Sequence, residues 1–159
     1  MFKINSLVPE LAVTDFDRSL KFYTEFLLFE IAQRRRTDPH AYLAFQGSQI
    51  MISTAEHNWE ERDSWETAAL ERPFGRGINF QFFVSGVEEL YNRVSTAQWP
   101  IFLKLHTKWY WRSDRMDRRT QFGIMDPDGY FLRFSEVFDY RDVTEADHTK
   151  LNRDYGISA

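Results

Sequence analysis

The feature that most constrains this chain is that its second half repeats its first. Val13-Thr-Asp-Phe-Asp aligns with Val84-Ser-Gly-Val-Glu at an offset of 71, and Gly47-Ser-Gln-Ile-Met-Ile-Ser53 aligns with Gly129-Tyr-Phe-Leu-Arg-Phe-Ser135 at an offset of 82. Each copy reads as a strand, a helix and three further strands. In the first copy Leu7–Val13 is a strand with Pro9 near its start, where a missing N–H is tolerated. Thr14 or Asp15 can cap a helix whose Phe16, Leu20, Tyr23 and Leu27 form one apolar stripe, and Phe29–Arg34, Ala41–Phe45 and Gln49–Ser53 follow as strands. In the second copy Ile78–Val84 is a strand, and Val87–Ala97 is a helix with Val87, Leu90, Tyr91, Val94 and Ala97 on one face. Ile101–Leu105, Thr120–Met125 and Tyr130–Glu136 complete it, the last entered through the turn Asp126-Pro-Asp-Gly129. The two offsets differ by eleven, so the second copy carries eleven extra residues, placed around Thr107–Arg119.

This organisation predicts an α+β protein of two βαβββ repeats forming a cupped mixed sheet over residues 1–137. The first unit takes 5–54, a polar connector broken by Pro73, Gly75 and Gly77 takes 55–77, and the second unit takes 78–137. Residues 138–159 form a polar tail in which Asp142 and Glu145 have the spacing of a capping box, so a short helix is available to it. Its apolar stripe is poor, which points to a frayed or surface-docked segment.

Composition narrows the function classes. The net charge is −4, against the basic excess of a duplex-binding domain, so nucleic acid is not an expected partner. Cys is absent, which removes disulfides, thiolate nucleophiles and cysteine metal sites together and fits a reducing compartment. The first residues lack the apolar core of a signal peptide, and no apolar run approaches the ~20 residues that span a bilayer. The expectation is a cytoplasmic protein with no membrane partner. Aromatic residues reach 17%, with 15 Phe, 7 Tyr and 5 Trp, enough to line a pocket as well as a core.

Period-2 alternation assigns the strand faces. Leu11, Val13, Leu132 and Phe134 fall on the helix side; Val8, Glu10, Ala12, Gln49, Met51, Ser53, Asn79, Gln81, Phe83, Phe131, Arg133 and Ser135 fall on the cup side. Phe16, Tyr23 and Tyr91 belong to helix packing, and Trp59, Trp65 and Trp99 have no assigned place.

The segments Leu11-Ala-Val-Thr-Asp-Phe-Asp-Arg-Ser-Leu-Lys-Phe-Tyr23 and Phe122-Gly-Ile-Met-Asp-Pro-Asp-Gly-Tyr-Phe-Leu-Arg-Phe134, set in two βαβββ units, resemble the vicinal oxygen chelate superfamily of glyoxalases, extradiol dioxygenases, and fosfomycin- and bleomycin-resistance proteins. Enzymes of that group hold a divalent metal with His and carboxylate or amide ligands on the inner strands. The resemblance carries those four positions onto Val8, Met51, Asn79 and Arg133. Val8 cannot ligate, Met51 suits soft ions only, and a guanidinium repels a cation. None of the four His residues, at 40, 57, 106 and 148, forms a close-spaced pair with another. No Gly-x-Ser-x-Gly elbow is present, so no catalytic residue is assigned.

Loss of the metal positions within the fold is similar to the bleomycin-resistance branch, whose dimeric members sequester a drug without chemistry in grooves between subunits. Ser48–Ser53 and Arg119-Thr-Gln-Phe122 with the following Asp-Pro-x-Gly share that cadence. The resemblance implies a cofactor-free homodimer binding a small molecule, aromatic or anionic, with antibiotic resistance as the physiological role. The net charge is less acidic than a trap for a cationic drug would want. The alternative it leaves is a glyoxalase-type lyase or extradiol-type dioxygenase with an atypical metal site.

The expected ligand-binding residues are Glu10, Met51, Asn79, Phe83, Trp109, Trp111, Phe131 and Arg133. Trp109 and Trp111 share a face if extended, as a stacking platform or as interface packing of the inserted segment; docking of a protein partner on them is a third reading. Arg112, Arg115, Arg118 and Arg119 interleave with Asp114 and Asp117, as a solvated loop with internal ion pairs or, alternatively, as an anion or nucleic-acid contact. Arg133 facing a cup needs a counter-charge, from Glu10 or from an anionic ligand.

Overall fold

The computed structural model describes residues 3–55, Glu60 and residues 64–155. Its first unit contains β1 (Glu10–Val13), α1 (Phe16–Lys21) with one π-helical turn at Phe22–Phe26, β2 (Glu30–Arg34), β3 (His40–Phe45) and β4 (Ser48–Thr54). The sheet order is β1-β4-β3-β2, with β1 parallel to β4 and the remaining pairs antiparallel. The second unit contains β5 (Asn79–Phe83), α2 (Val87–Thr96), β6 (Ile101–Arg112), β7 (Arg115–Met125) and β8 (Phe131–Asp142) in the same order and directions, β5-β8-β7-β6. A terminal helix, α3 (Glu145–Tyr155), follows. Among the described residues no helix is long and apolar enough to cross a membrane.

Local chemistry sets these elements. Asp15 caps α1 by accepting the Arg18 N–H at 3.0 Å. The Leu27 N–H reaches back to Phe22 at 3.0 Å, one residue further than an α-helical bond, and this wide turn keeps Tyr23 and Leu27 both fully buried. Asp126 organises the turn into β8. Its Oδ1 accepts the N–H groups of Asp128, Gly129 and Tyr130 at 2.8–2.9 Å, and its Oδ2 accepts the Tyr23 hydroxyl at 2.9 Å. Gly129 at φ 97 is the residue the turn needs in a left-handed conformation.

The repeat seen in sequence is a physical pseudo-twofold. Residues 14 and 85 correspond at one offset, and residues 46 and 128 at the other. Asp128 accepts the Thr14 N–H at 3.1 Å and its hydroxyl at 2.6 Å, while Gln46 accepts the Ser85 N–H at 2.7 Å. Each unit therefore uses its last turn to hold the strand-to-helix corner of the other. Between these anchors the helix-side faces of both sheets share one core. Phe29 stacks on Phe45 at 4.7 Å and meets Phe82 edge-on at 5.5 Å, and Phe134 stacks on both Phe82 and Phe122 at 5.3 Å. The helices join the same way: Trp99 packs on Phe22 and Phe26, and Arg93 donates to the Glu25 and Phe26 carbonyls.

The eleven extra residues are not the loop that the charge pattern suggests. They lengthen β6 and β7 into a hairpin that turns at Ser113 (φ 52), and β8 runs beside it to Asp142, across the boundary expected at 137. Arg115, Asp117 and Arg119 alternate at the strand period, and Asp117 is fully buried. Three guanidiniums hold it, from Arg119 at 2.8 Å and from Arg112 and Arg115 at 3.5 Å. Burial works to raise the Asp117 pKa, but the Arg119 hydrogen bond and the arginine charges bring it below the ordinary value. The tail helix is likewise capped by a different pair from the one expected. Thr144 donates its N–H and hydroxyl to Asp147, which also grips the Arg141 guanidinium at 2.6 and 2.8 Å, while Asp142 ends β8. The described part of the connector docks Phe74 against Tyr130.

Candidate functional site

With the helix-side faces turned toward each other, the concave faces point outward. Among the described residues no hydrogen bond, ion pair or ring contact joins a concave-face side chain of one unit to one of the other. The single chain thus presents two half-cups.

The first half-cup is built on the β1–β4–β3 register, where Glu10 pairs with Met51, Met51 with Tyr42, and Ser53 with His40. A cavity of about 570 Å³ opens there, lined among others by Glu10, His40, Tyr42, Met51 and the exposed Trp65. His40 is 3% exposed, its Nε2 lies 3.7 Å from Glu10 Oε1, and neither ring nitrogen has a hydrogen-bond partner among the described residues. Burial pulls the His40 pKa down and the Arg35 charge adds to this, with Glu10 opposing.

The second half-cup is the richer one. Across β5 and β8, Asn79 pairs with Phe131, Gln81 with Arg133, and Phe83 with Ser135. Arg133 donates to the Gln81 amide oxygen. Phe131 lies over Gly123, where an added Cβ would come within 2.5 Å of the ring, so glycine is what lets the aromatic lie against the sheet. From β7 the Arg119 guanidinium reaches 5.4 Å from the ring centroids of both Phe83 and Tyr110. His106 places Nδ1 2.9 Å from the Lys104 carbonyl; donation there leaves Nε2 as acceptor for the Tyr110 hydroxyl at 3.2 Å, and Gln121 donates to the same phenol oxygen.

The structure therefore separates the expected residues. Glu10 and Met51 share the first half-cup; Asn79, Phe83, Phe131 and Arg133 share the second. Glu10 neighbours His40 and is not the counter-charge of Arg133. Trp109 and Trp111 lie on neither concave face. Trp109 pairs with Arg118 and Trp111 with Met116, on the sheet side where Thr107 meets Thr120. There Trp109 receives the Arg141 guanidinium at 4.9 Å, and Trp111 meets His148 of α3 at 5.0 Å. Of the unassigned tryptophans, Trp99 donates to the Met125 carbonyl at 2.8 Å, Trp65 is exposed, and Trp59 lies outside the described residues. Sequence reasoning missed His106, Tyr110, Arg119 and Gln121 as site residues. The alternation from Arg115 to Gln121 was the available signal, and it was visible only once the segment was read as a strand.

A model of the Glyoxalase/Bleomycin resistance protein/Dioxygenase superfamily matches residues 3–134. The chain belongs to this superfamily. A solved superfamily member from Vibrio splendidus 12B01 is 33% identical over 82% of this chain and 97% of its own, with a TM-score of 0.37. TioX from Micromonospora sp. ML1 is 21% identical over 85% and 98% of the two chains with a TM-score of 0.61, and a lactoylglutathione lyase from Agrobacterium tumefaciens is 16% identical over 84% and 95% with a TM-score of 0.54. The latter two likenesses show the fold. Comparison with curated proteins gives no match.

The divalent metal of superfamily enzymes does not fit the donors here. Of the four positions the resemblance assigns, Val8 precedes β1 and offers no donor, Met51 offers a thioether, Asn79 an amide and Arg133 a cation. Among the described residues no three His, Asp or Glu side chains converge, and Glu10 with His40 makes only a pair.

Proposed function

We propose that this superfamily member is a metal-independent small-molecule binding protein that sequesters a drug or another aromatic or anionic ligand, acting as a cytoplasmic homodimer in which each half-cup is completed by a partner's. The observation that carries the reading is Arg133. A guanidinium stands on the concave face where a metal-dependent relative would place its last ligand, and among the described residues it is satisfied only by a neutral amide. The outward half-cups support the dimer, since each is an incomplete enclosure by itself. A resistance role follows from the resemblance to drug-sequestering relatives.

The test is light scattering on the purified protein with a thermal-shift screen of aromatic ligands. A dimer stabilised by ligands is the expected result; a monomer with no shift for any ligand overturns the proposal. A second reading, a glyoxalase- or dioxygenase-type enzyme with an atypical site, is favoured by the Glu10–His40 pair. Metal analysis of untagged protein decides it: stoichiometric Zn, Ni, Mn or Fe that is lost in Glu10→Gln would replace the first reading with the second.

A further inference from the structure

We propose that the concave face of the second unit takes an aromatic carboxylate, its carboxylate on Arg133 and Gln81 and its ring against Phe83 or Phe131, which flank that pair on opposite sides; this rests on the binding reading above and specifies the ligand. Charge decides the first half. Asp117 is engaged by Arg112, Arg115 and Arg119, so the carboxylate on this face is already committed at the hairpin end. Arg133 has no carboxylate within 4.0 Å among the described residues and contacts only the Gln81 amide oxygen. A part-buried guanidinium left with a neutral partner is costly, and an arriving anion removes that cost. The single charge of Asp117 cannot neutralise Arg112, Arg115 and Arg119 together, so with Arg133 these side chains hold a net positive excess, which favours an anion.

Hydrogen-bond donors decide the geometry. Arg133 Nε, Gln81 Nε2 and Ser135 Oγ are buried without hydrogen-bond partners among the described residues, and Arg119 Nε joins them at the far side. All belong to one face, because Gln81 pairs with Arg133 while Phe83 and Gln121 both flank Ser135. A guanidinium N–H beside an amide N–H offers one donor to each oxygen of a carboxylate. The same register places the ring. Arg133 and Gln81 are bracketed along the strands by the Asn79–Phe131 and Phe83–Ser135 pairs, one residue pair of the same face on either side, or about 6–7 Å. Phe83 is 51% exposed, and Phe131 meets Phe102 edge-on at 5.1 Å, so the aromatic walls are already in position.

The test is titration calorimetry of the full chain with 1-naphthoate, the isosteric 1-naphthamide and inorganic phosphate, on wild type, Arg133→Gln, Arg133→Lys and Arg118→Gln, each checked for a folded circular-dichroism spectrum. The expected result is that naphthoate binds about tenfold or more tightly than naphthamide, as loss of a hydrogen bond to a charged group predicts. Arg133→Gln loses this preference, Arg133→Lys recovers part of it, and Arg118→Gln, on the opposite face, keeps it. Equal binding of acid and amide, or a preference that survives Arg133→Gln, overturns the carboxylate while leaving the binding reading intact. Phosphate binding as well as naphthoate overturns the aromatic part. No binding of any probe overturns the inference, and the separate aromatic screen then tells whether the binding reading falls with it.

Discussion

Replacing Asp126 by alanine should destabilise the protein more than any surface change, and the structure sets the size. Asp126 is 4% exposed and its carboxylate serves four donors: three backbone N–H groups and the hydroxyl of the fully buried Tyr23. In Asp126→Ala the Gly129 N–H keeps its bond to the Asp126 carbonyl at 3.1 Å, so the donors left without a partner are those of Asp128, Tyr130 and Tyr23. A buried donor left unsatisfied costs about 1–2 kcal/mol, so the three together cost about 3–6 kcal/mol. For a domain of this size that lowers Tm by about 10 °C or more. Tyr23→Phe removes only the hydroxyl donor and should cost about 1 kcal/mol, because the three backbone bonds to Asp126 persist. Urea unfolding followed by circular dichroism measures both. A loss of less than about 1 kcal/mol in Asp126→Ala, or an equal loss in Tyr23→Phe, would mean that the turn owes nothing to the carboxylate.

Three further outcomes are expected. The lowered pKa of His40 means its stabilising contribution is present above the ordinary value of 6.5 and is lost as pH falls through the folded value, so His40→Gln should flatten the stability profile of the wild type on that acidic leg; an unchanged slope in urea titrations across pH would contradict this. Asp147 is held well below the usual carboxylate range by its hydrogen bonds to Arg141 and Thr144, so α3 should stay docked above that range and release as pH falls through the depressed value. Trp fluorescence near His148 reports the release, which Arg141→Ala should bring to higher pH; an acid transition identical in wild type and variant would count against the clamp. Gly123→Ala should cost about 1–3 kcal/mol by driving a methyl into the Phe131 ring, and Phe131→Leu in the same chain should recover part of it; if the double variant is simply additive, the two residues are not in conflict.

The sequence alone determined the architecture, because a βαβββ repeat is written in local patterns: the Phe16–Leu27 stripe, the Asp126–Gly129 turn and strict strand alternation each act within a few residues. Alternation also assigned concave faces to Glu10, Met51, Asn79 and Arg133, since a side chain's face depends only on strand parity. It failed at Thr107–Arg119. There the charge pattern of a solvated loop is also that of an extended strand, and only pairing with the distant β8 chooses between them. The parity of that hairpin, set through a ladder with bulges, then turned Trp109 and Trp111 away from the cup and brought Tyr110, Arg119 and His106 into it. Which charges neutralise one another was likewise a tertiary decision. Glu10 and Arg133 look like partners along the chain, but their sheets bury opposite faces in one shared core, so each concave face must find its counter-charge separately: Glu10 lies beside His40, and Arg133 is left facing an open half-cup.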